Sequence, residues 1–157
     1  MEDSYRNNIV EFALIYLDKN FTDDIDFQEF DAPNFTNYIY KQLLNIDINQ
    51  NGYGLDNSTK QMTNDIGDLK IYNEDDPKKI NYIDEIKKGD LIFFHNQSLD
   101  DNKPSPGNRY PGHVGIYLGD KNFIHASPSE QKITINNLTG KWLDILIASR
   151  DIIKSII

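Results

Sequence analysis

Cysteine is absent from the chain, so no disulfide can staple the fold, and cysteine usage says nothing about the redox compartment. Positive charge is in short supply as well. Sixteen Lys and Arg stand against 25 Asp and Glu, a formal charge of -9. A net negative field repels phosphate backbones unless a basic patch is concentrated locally. Lys78, Lys79, Lys87 and Lys88 are interleaved with acids instead, so no nucleic-acid partner is expected. Long apolar runs are missing too. The opening MEDSYRNNIVEF has no basic segment leading into an uninterrupted apolar stretch, so neither a secretion signal nor membrane insertion is expected.

Against these absences stand nine Tyr and eight Phe. A 38% hydrophobic chain with this charge would sit near the border of order, but large aromatic surfaces can be buried, which disordered chains cannot do. The length suits one domain spanning 1–157.

Two textures divide that domain. From Ser4 to about Lys19, Ile9, Val10, Ala13, Leu14 and Leu17 recur at helical spacing, with Phe12 and Tyr16 broadening the stripe. A second helix is predicted from about Pro33 to Leu44, capped by Asp31 and presenting Phe35, Tyr38, Ile39 and Leu43 inward. A short third is predicted over Ser58 to Leu69 in an Asn-, Asp- and Gly-rich stretch. After Lys88 the period becomes extended: DLIFFH, HVGIYLG, NFIHAS, KITINNL and DILIASR read as an antiparallel meander, with Gly119, Asp120 and Lys121 as a hairpin turn. The stretch from Gln97 to Gly112 reads as one long loop. The architecture expected is α+β, helices first and a sheet after.

Few residues can carry chemistry. His113 and His125 fall twelve positions apart across a predicted hairpin, close enough to meet on neighbouring strands. One imidazole can serve as a base if a second polar group fixes its tautomer and orientation. Ordinary half-buried strand histidines are the plainer alternative. A zinc site is a third reading, but histidines without a well-spaced carboxylate or thiol are a weak zinc signature, so no metal and no cofactor are expected.

GDLIFFH, then PGHVGIYLGDKNFIHAS, then KITINNL together resemble the C-terminal half of the NlpC family of papain-like cell-wall peptidases. The likeness runs from about Phe30 to Leu138. It implies a papain-like single domain, with His113 as the base, His125 as the residue that orients it, and a nucleophilic cysteine at a helix start. Here that position is Ala32, within Asp31-Ala32-Pro33-Asn34-Phe35. A thiol there would feel the positive end of the helix dipole, which favours thiolate; a methyl group cannot attack a carbonyl.

The chain as written should therefore not hydrolyse by the family's mechanism. Either Ala32 is a truncation made to obtain an inert form, or the chain is a natural pseudoenzyme that binds wall glycopeptides or a protein partner without cleavage. The family's tyrosine before the nucleophile has no counterpart in FTDDIDFQEF. Asp31, Arg109, Tyr110 and Ser127 are the expected substrate contacts; an arginine can grip a carboxylate bidentately. His95 is expected to be peripheral. His113 is expected nearer to Ala32 than His125 is, on the sheet face that Ala32 meets.

The resemblance implies cleavage of an amide bond in peptidoglycan stem peptides, at the cell wall or outside the cell, by an excised domain or a phage or mobile-element lysin. A binding module for the same glycopeptides, or a transferase or thioesterase on the same scaffold, are the other classes. The unpermuted order of nucleophile position, His and His favours the wall enzymes.

Overall fold

The computed structural model describes residues 2–20, 32–48, 68–71, 82–95, 111–127 and 129–156. Helix α1 spans Glu2–Leu14 and α2 spans Ala32–Leu44; strand β1 is Asp68–Ile71. A 3-10 turn at Ile83–Glu85 leads to β2 (Leu91–His95), β3 (Pro111–Gly119), β4 (Asn122–Ser127) and β5 (Lys132–Asn137). The short helix α3 (Lys141–Ile145), strand β6 (Leu146–Asp151) and α4 (Ile152–Ile156) complete the described chain. The six strands form one antiparallel sheet in the order β1-β6-β2-β3-β4-β5.

Helix α1 is shorter than its apolar pattern suggested. Its buried residues are Arg6, Ile9 and Ala13, whereas Leu14 and Leu17 stay largely exposed. The reason is tertiary. Past Leu14 the chain tightens through i to i−3 bonds, and Asp18 turns it at φ 69°. The amide of Asp18 then bonds the Ile133 carbonyl at 2.8 Å, and Lys19 accepts from the Ile133 amide at 3.0 Å, so the segment pairs with β5 instead of continuing the helix. In α2, Phe35, Ile39 and Tyr40 are buried, while Leu43 faces out.

Three strand expectations need correcting. Asp68 and Leu69 are strand, not helix, because Asp68–Ile71 pairs with Asp151–Ala148 of β6; residues 58–67 lie outside the described residues. β3 begins at Pro111, inside the stretch read as loop; residues 97–110 lie outside the described residues. The final segment is not a fifth rung of a meander: Asp144 and Ile145 belong to α3, which contacts β2, and β6 then inserts beside β2.

The predicted hairpin turn is present, with Asp120 and Lys121 both at positive φ (52° and 64°) between paired Gly119 and Asn122. That is the primed geometry whose twist matches the flanking strands.

Alternation gives the sheet two different faces. On one, Leu91, Phe93, Val114, Ile116, Ile124, Ala126 and Ile133 pack with Ile9 and Ala13 of α1 and with Phe35 and Ile39 of α2. On the other, Ile92, Phe94, Tyr117 and Phe123 pack with Ile83, Ile86, Leu138 and the partly buried Trp142. Among the described residues no helix is long and apolar enough to cross a membrane.

Candidate active site

His113 stands near the start of β3 opposite Phe94, beside a bulge: between the pairs Phe94↔His113 and His95↔Pro111, β2 advances one residue and β3 two, with Gly112 as the extra one. Bulges re-aim neighbouring side chains. On β4, His125 is paired with Thr134, and Asn136 lies one pleat further along β5. Paired residues share a face, and Asn136 is paired with Phe123, two residues before His125, so His125 and Asn136 point the same way; His113, in contact with His125, joins them.

They form a continuous hydrogen-bonded row. Nε2 of His113 lies 2.7 Å from Nδ1 of His125, and Nε2 of His125 lies 2.7 Å from Oδ1 of Asn136. Apolar rings enclose the pair. Trp142 sits 5.9 Å from His113 and 5.1 Å from His125 between ring centroids, Phe94 is 6.0 Å from His113, and Phe123 is 4.7 Å from His125.

His125 has no solvent exposure and His113 has 7%. Burial penalises the charged imidazole. It pushes His113 down to about 3, helped by the neighbouring His125. Burial likewise holds His125 below its ordinary value, against the opposing pull of Asn136 and Glu130. Both rings are therefore neutral near pH 7, so each has one N–H and one lone pair.

Gly115, across from His125, keeps this row tight. A Cβ there would come within 3.0 Å of the Phe123 ring and 3.3 Å of the His125 Cβ. A side chain there would require the Phe123 ring, the Ile124 carbonyl and the His125 Cβ to give way by a few tenths of an ångström.

Ala32 opens α2, as the expected nucleophile position requires, though its side chain lies outside what is described. The sheet face differs from expectation. Val114 and Ile116 occupy the face against α2, which turns His113 and His125 to the opposite one. Ser127 follows His125 on the same face, and its hydroxyl accepts from the Glu130 amide at 3.3 Å within the β4–β5 turn. Asp31, Arg109 and Tyr110 lie outside the described residues. His95 ends β2, paired with Pro111. Among the described residues, no three His, Cys, Asp or Glu side chains are grouped to hold a metal.

Asn136 and Trp142 were missed by the sequence reading. Asn136 could have been found by extending the alternation of KITINNL across the turn after Ser127; Trp142 sits between KITINNL and DILIASR, in a stretch to which the sequence pattern assigned no element.

Helices that precede an antiparallel sheet bearing a buried histidine pair make this a papain-like α+β fold. Residues 19–150 match the NlpC/P60 family, and the chain belongs to it. It is 40% identical over 65 residues to a probable endopeptidase NlpC homolog of Haemophilus influenzae, covering 41% of this chain and 27% of that protein. Over 56 residues it is 36% identical to dipeptidyl-peptidase 6 of Lysinibacillus sphaericus, covering 36% of this chain and 15% of that protein. These matches thus cover about a quarter or less of the curated relatives. Among solved structures, it resembles the NlpC/P60 domain of the peptidoglycan hydrolase SagA (TM-score 0.56, 23% identity, 93% of this chain and 97% of that one). It also resembles an NlpC/P60 family protein from Bacillus cereus (TM-score 0.60, 21% identity, 94% and 40%).

Proposed function

We propose that this chain carries the site of a cell-wall cysteine peptidase or amidase lacking its nucleophile. It binds peptidoglycan stem peptides without cutting them, and restoring cysteine at Ala32 makes it a hydrolase. The observation that carries this reading is the buried, hydrogen-bonded His113–His125 pair, an oriented base of the kind that nucleophilic catalysis needs. The family membership and the names of the relatives, an endopeptidase and a peptidoglycan hydrolase domain, support the substrate class.

The run of α2 supports the position of the nucleophile. Tyr40 donates to the Gly89 carbonyl, and the Gly89 amide bonds the Tyr117 carbonyl, so this part of α2 lies by the C-terminal end of β3. About 12 Å of helix separate Tyr40 from Ala32, and about 13 Å of strand separate Tyr117 from His113. We take α2 to run alongside β3 from that anchor, which carries helix start and imidazole toward the same end of the strand. In this reading, a thiol at position 32 meets His113 round that end, not across the face.

In the Ala32→Cys form, His113 takes the thiol proton, and the resulting thiolate bonds to the carbonyl carbon of the scissile amide. Amides at the start of α2 stabilise the oxyanion. His113 returns the proton to the leaving amine, and water hydrolyses the thioester. The thiolate also supplies the anion that an imidazolium needs, so His113 gains basicity that a methyl neighbour cannot give it.

Purified walls incubated with the Ala32→Cys form should release peptide fragments identifiable by mass spectrometry. The new thiol should titrate well below the ~8.5 of a free cysteine when its alkylation is followed against pH. An unshifted thiol with no released product would overturn the reading. A form that binds wall fragments yet stays inert would favour the natural pseudoenzyme, a reading that Ala32 itself invites.

A further inference from the structure

Asn136 is the one polar side chain in the row with no assigned part in the chemistry. We propose that Asn136 is a positioning residue that sets the direction of the hydrogen bonds through His125 and so decides which nitrogen of His113 is bare. This deepens the reading above and rests on it for its catalytic meaning.

The argument is one of donors and acceptors. A carboxamide oxygen can only accept, so His125 Nε2, 2.7 Å from Asn136 Oδ1, must carry a hydrogen. A neutral imidazole has only one N–H, so His125 Nδ1 is then a lone pair. His113 Nε2, 2.7 Å from that lone pair, must donate to it. The remaining nitrogen, His113 Nδ1, is left unprotonated and available as a base.

Reversing one amide reverses everything. With the Asn136 amide nitrogen toward His125, each imidazole would hold its hydrogen on Nδ1, and His113 would present a proton where a lone pair is needed.

The surroundings make this row the deciding influence. Burial keeps both rings uncharged, which removes the doubly protonated form that would carry no direction. Phe94, Phe123 and Trp142 face the pair with apolar rings. The other titratable group bearing on His125 is Glu130, in the turn after β4. Asn136 reaches His125 diagonally from the position paired with Phe123, one pleat beyond Thr134, so the contact depends on β5 register.

The test reads imidazole nitrogens directly, in the chain with Ala32, and needs no turnover. With 15N-labelled histidine, NMR should show both Nε2 atoms protonated and both Nδ1 atoms bare. A proton on His113 Nδ1 would overturn the proposal. Asn136→Leu should mix the tautomers of both rings, and Asn136→Asp should keep the pattern while moving the imidazole titration to higher pH. An unchanged pattern in a folded Asn136→Leu variant would also overturn it; if that variant fails to fold, the parent spectrum and Asn136→Asp decide.

In the Ala32→Cys background, Asn136→Leu should lower kcat by about tenfold or more with KM little changed, and Asn136→Asp should recover part of the loss. An inactive Ala32→Cys form with the expected tautomers would sink the hydrolase reading and leave the assignment of protons standing.

Discussion

Strand β2 has a buried polar network near each end, and the two are built on opposite principles. Beside its first residue, Arg6 of α1 donates to Asp90 at 2.8 Å, to both carboxylate oxygens of Asp151 at 2.7 Å, and to the Lys88 carbonyl at 3.0 Å. Near its other end, Phe94 pairs with His113, and the row through His125 to Asn136 carries no charge. The ionic cluster ties α1 to the strands and has its forks committed to fixed partners. The neutral row leaves one nitrogen uncommitted. A network whose charges are fixed on buried partners is suited to holding a fold together; one left open at its end is suited to reacting.

Breaking the ionic end should have the largest effect. Arg6→Ala strands two buried carboxylates without their cation, a loss of about 3–5 kcal/mol. That is a large share of the about 5–15 kcal/mol that holds a typical domain. Urea denaturation should show it as a lower midpoint. A loss under about 1 kcal/mol would mean that the cluster is solvated and not structural.

The neutral end should behave the other way. In the Ala32→Cys background, His113→Gln should cost about a hundredfold or more in kcat/KM, equivalent to about 2.7 kcal/mol of transition-state stabilisation. Its urea midpoint should stay much closer to that of the parent than the Arg6→Ala midpoint does. Equal losses of stability in the two variants would erase the distinction between the networks.

The pH dependence of stability should sharpen the contrast, with slopes of at most about 1.4 kcal/mol per pH unit for each proton. His113 is depressed from 6.5 to about 3, so between those values the unfolded chain binds more protons. Its contribution is present above about 6.5 and is lost as pH falls toward 3. Asp90 is raised from 3.8 to about 7, first by burial and then by Asp151, so the folded chain binds more protons in that window. Its contribution is present below 3.8 and is lost as pH rises through 7. His113→Gln should flatten the first slope and Asp90→Asn the second, in urea titrations run from pH 4 to 7.5. A shift of both slopes by either variant would couple the two ends.

The neutral end was far more legible in the sequence than the ionic end. Short apolar runs bounded by Gly, Asp and Pro define β2 to β5, and a two-residue turn between Gly119 and Asn122 fixes the register that joins His113 to His125. That signal is local. Arg6 gives no local sign of its role, because its partners lie 84 and 145 residues away and only the closed sheet brings them together. Asp68–Ile71 shows the same limit: its strand character comes from pairing with β6, at the far end of the chain, and not from its own neighbours. The face taken by His113 was misjudged because Val114 and Ile116 claim the side beneath α2, and a strand cannot offer both neighbours to one side.

The segment Asp18 to Asn20 has a consequence for where this folding unit can be cut. Strand β5 is the outermost of the sheet, and an unpaired outer strand is a template for another chain. Here the bonds of Ile133 to Asp18 and Lys19, and the bridge from Asn20 to Lys132, occupy that margin from within the same molecule. Family similarity begins at residue 19 and ends at 150, and those limits pass through this seal at one end and leave Arg6 and Asp151 outside. A fragment trimmed to the region of likeness would retain the histidines but would lose the Asp18 bond of that guard, and with it α1, Arg6 and the Asp151 that Arg6 holds.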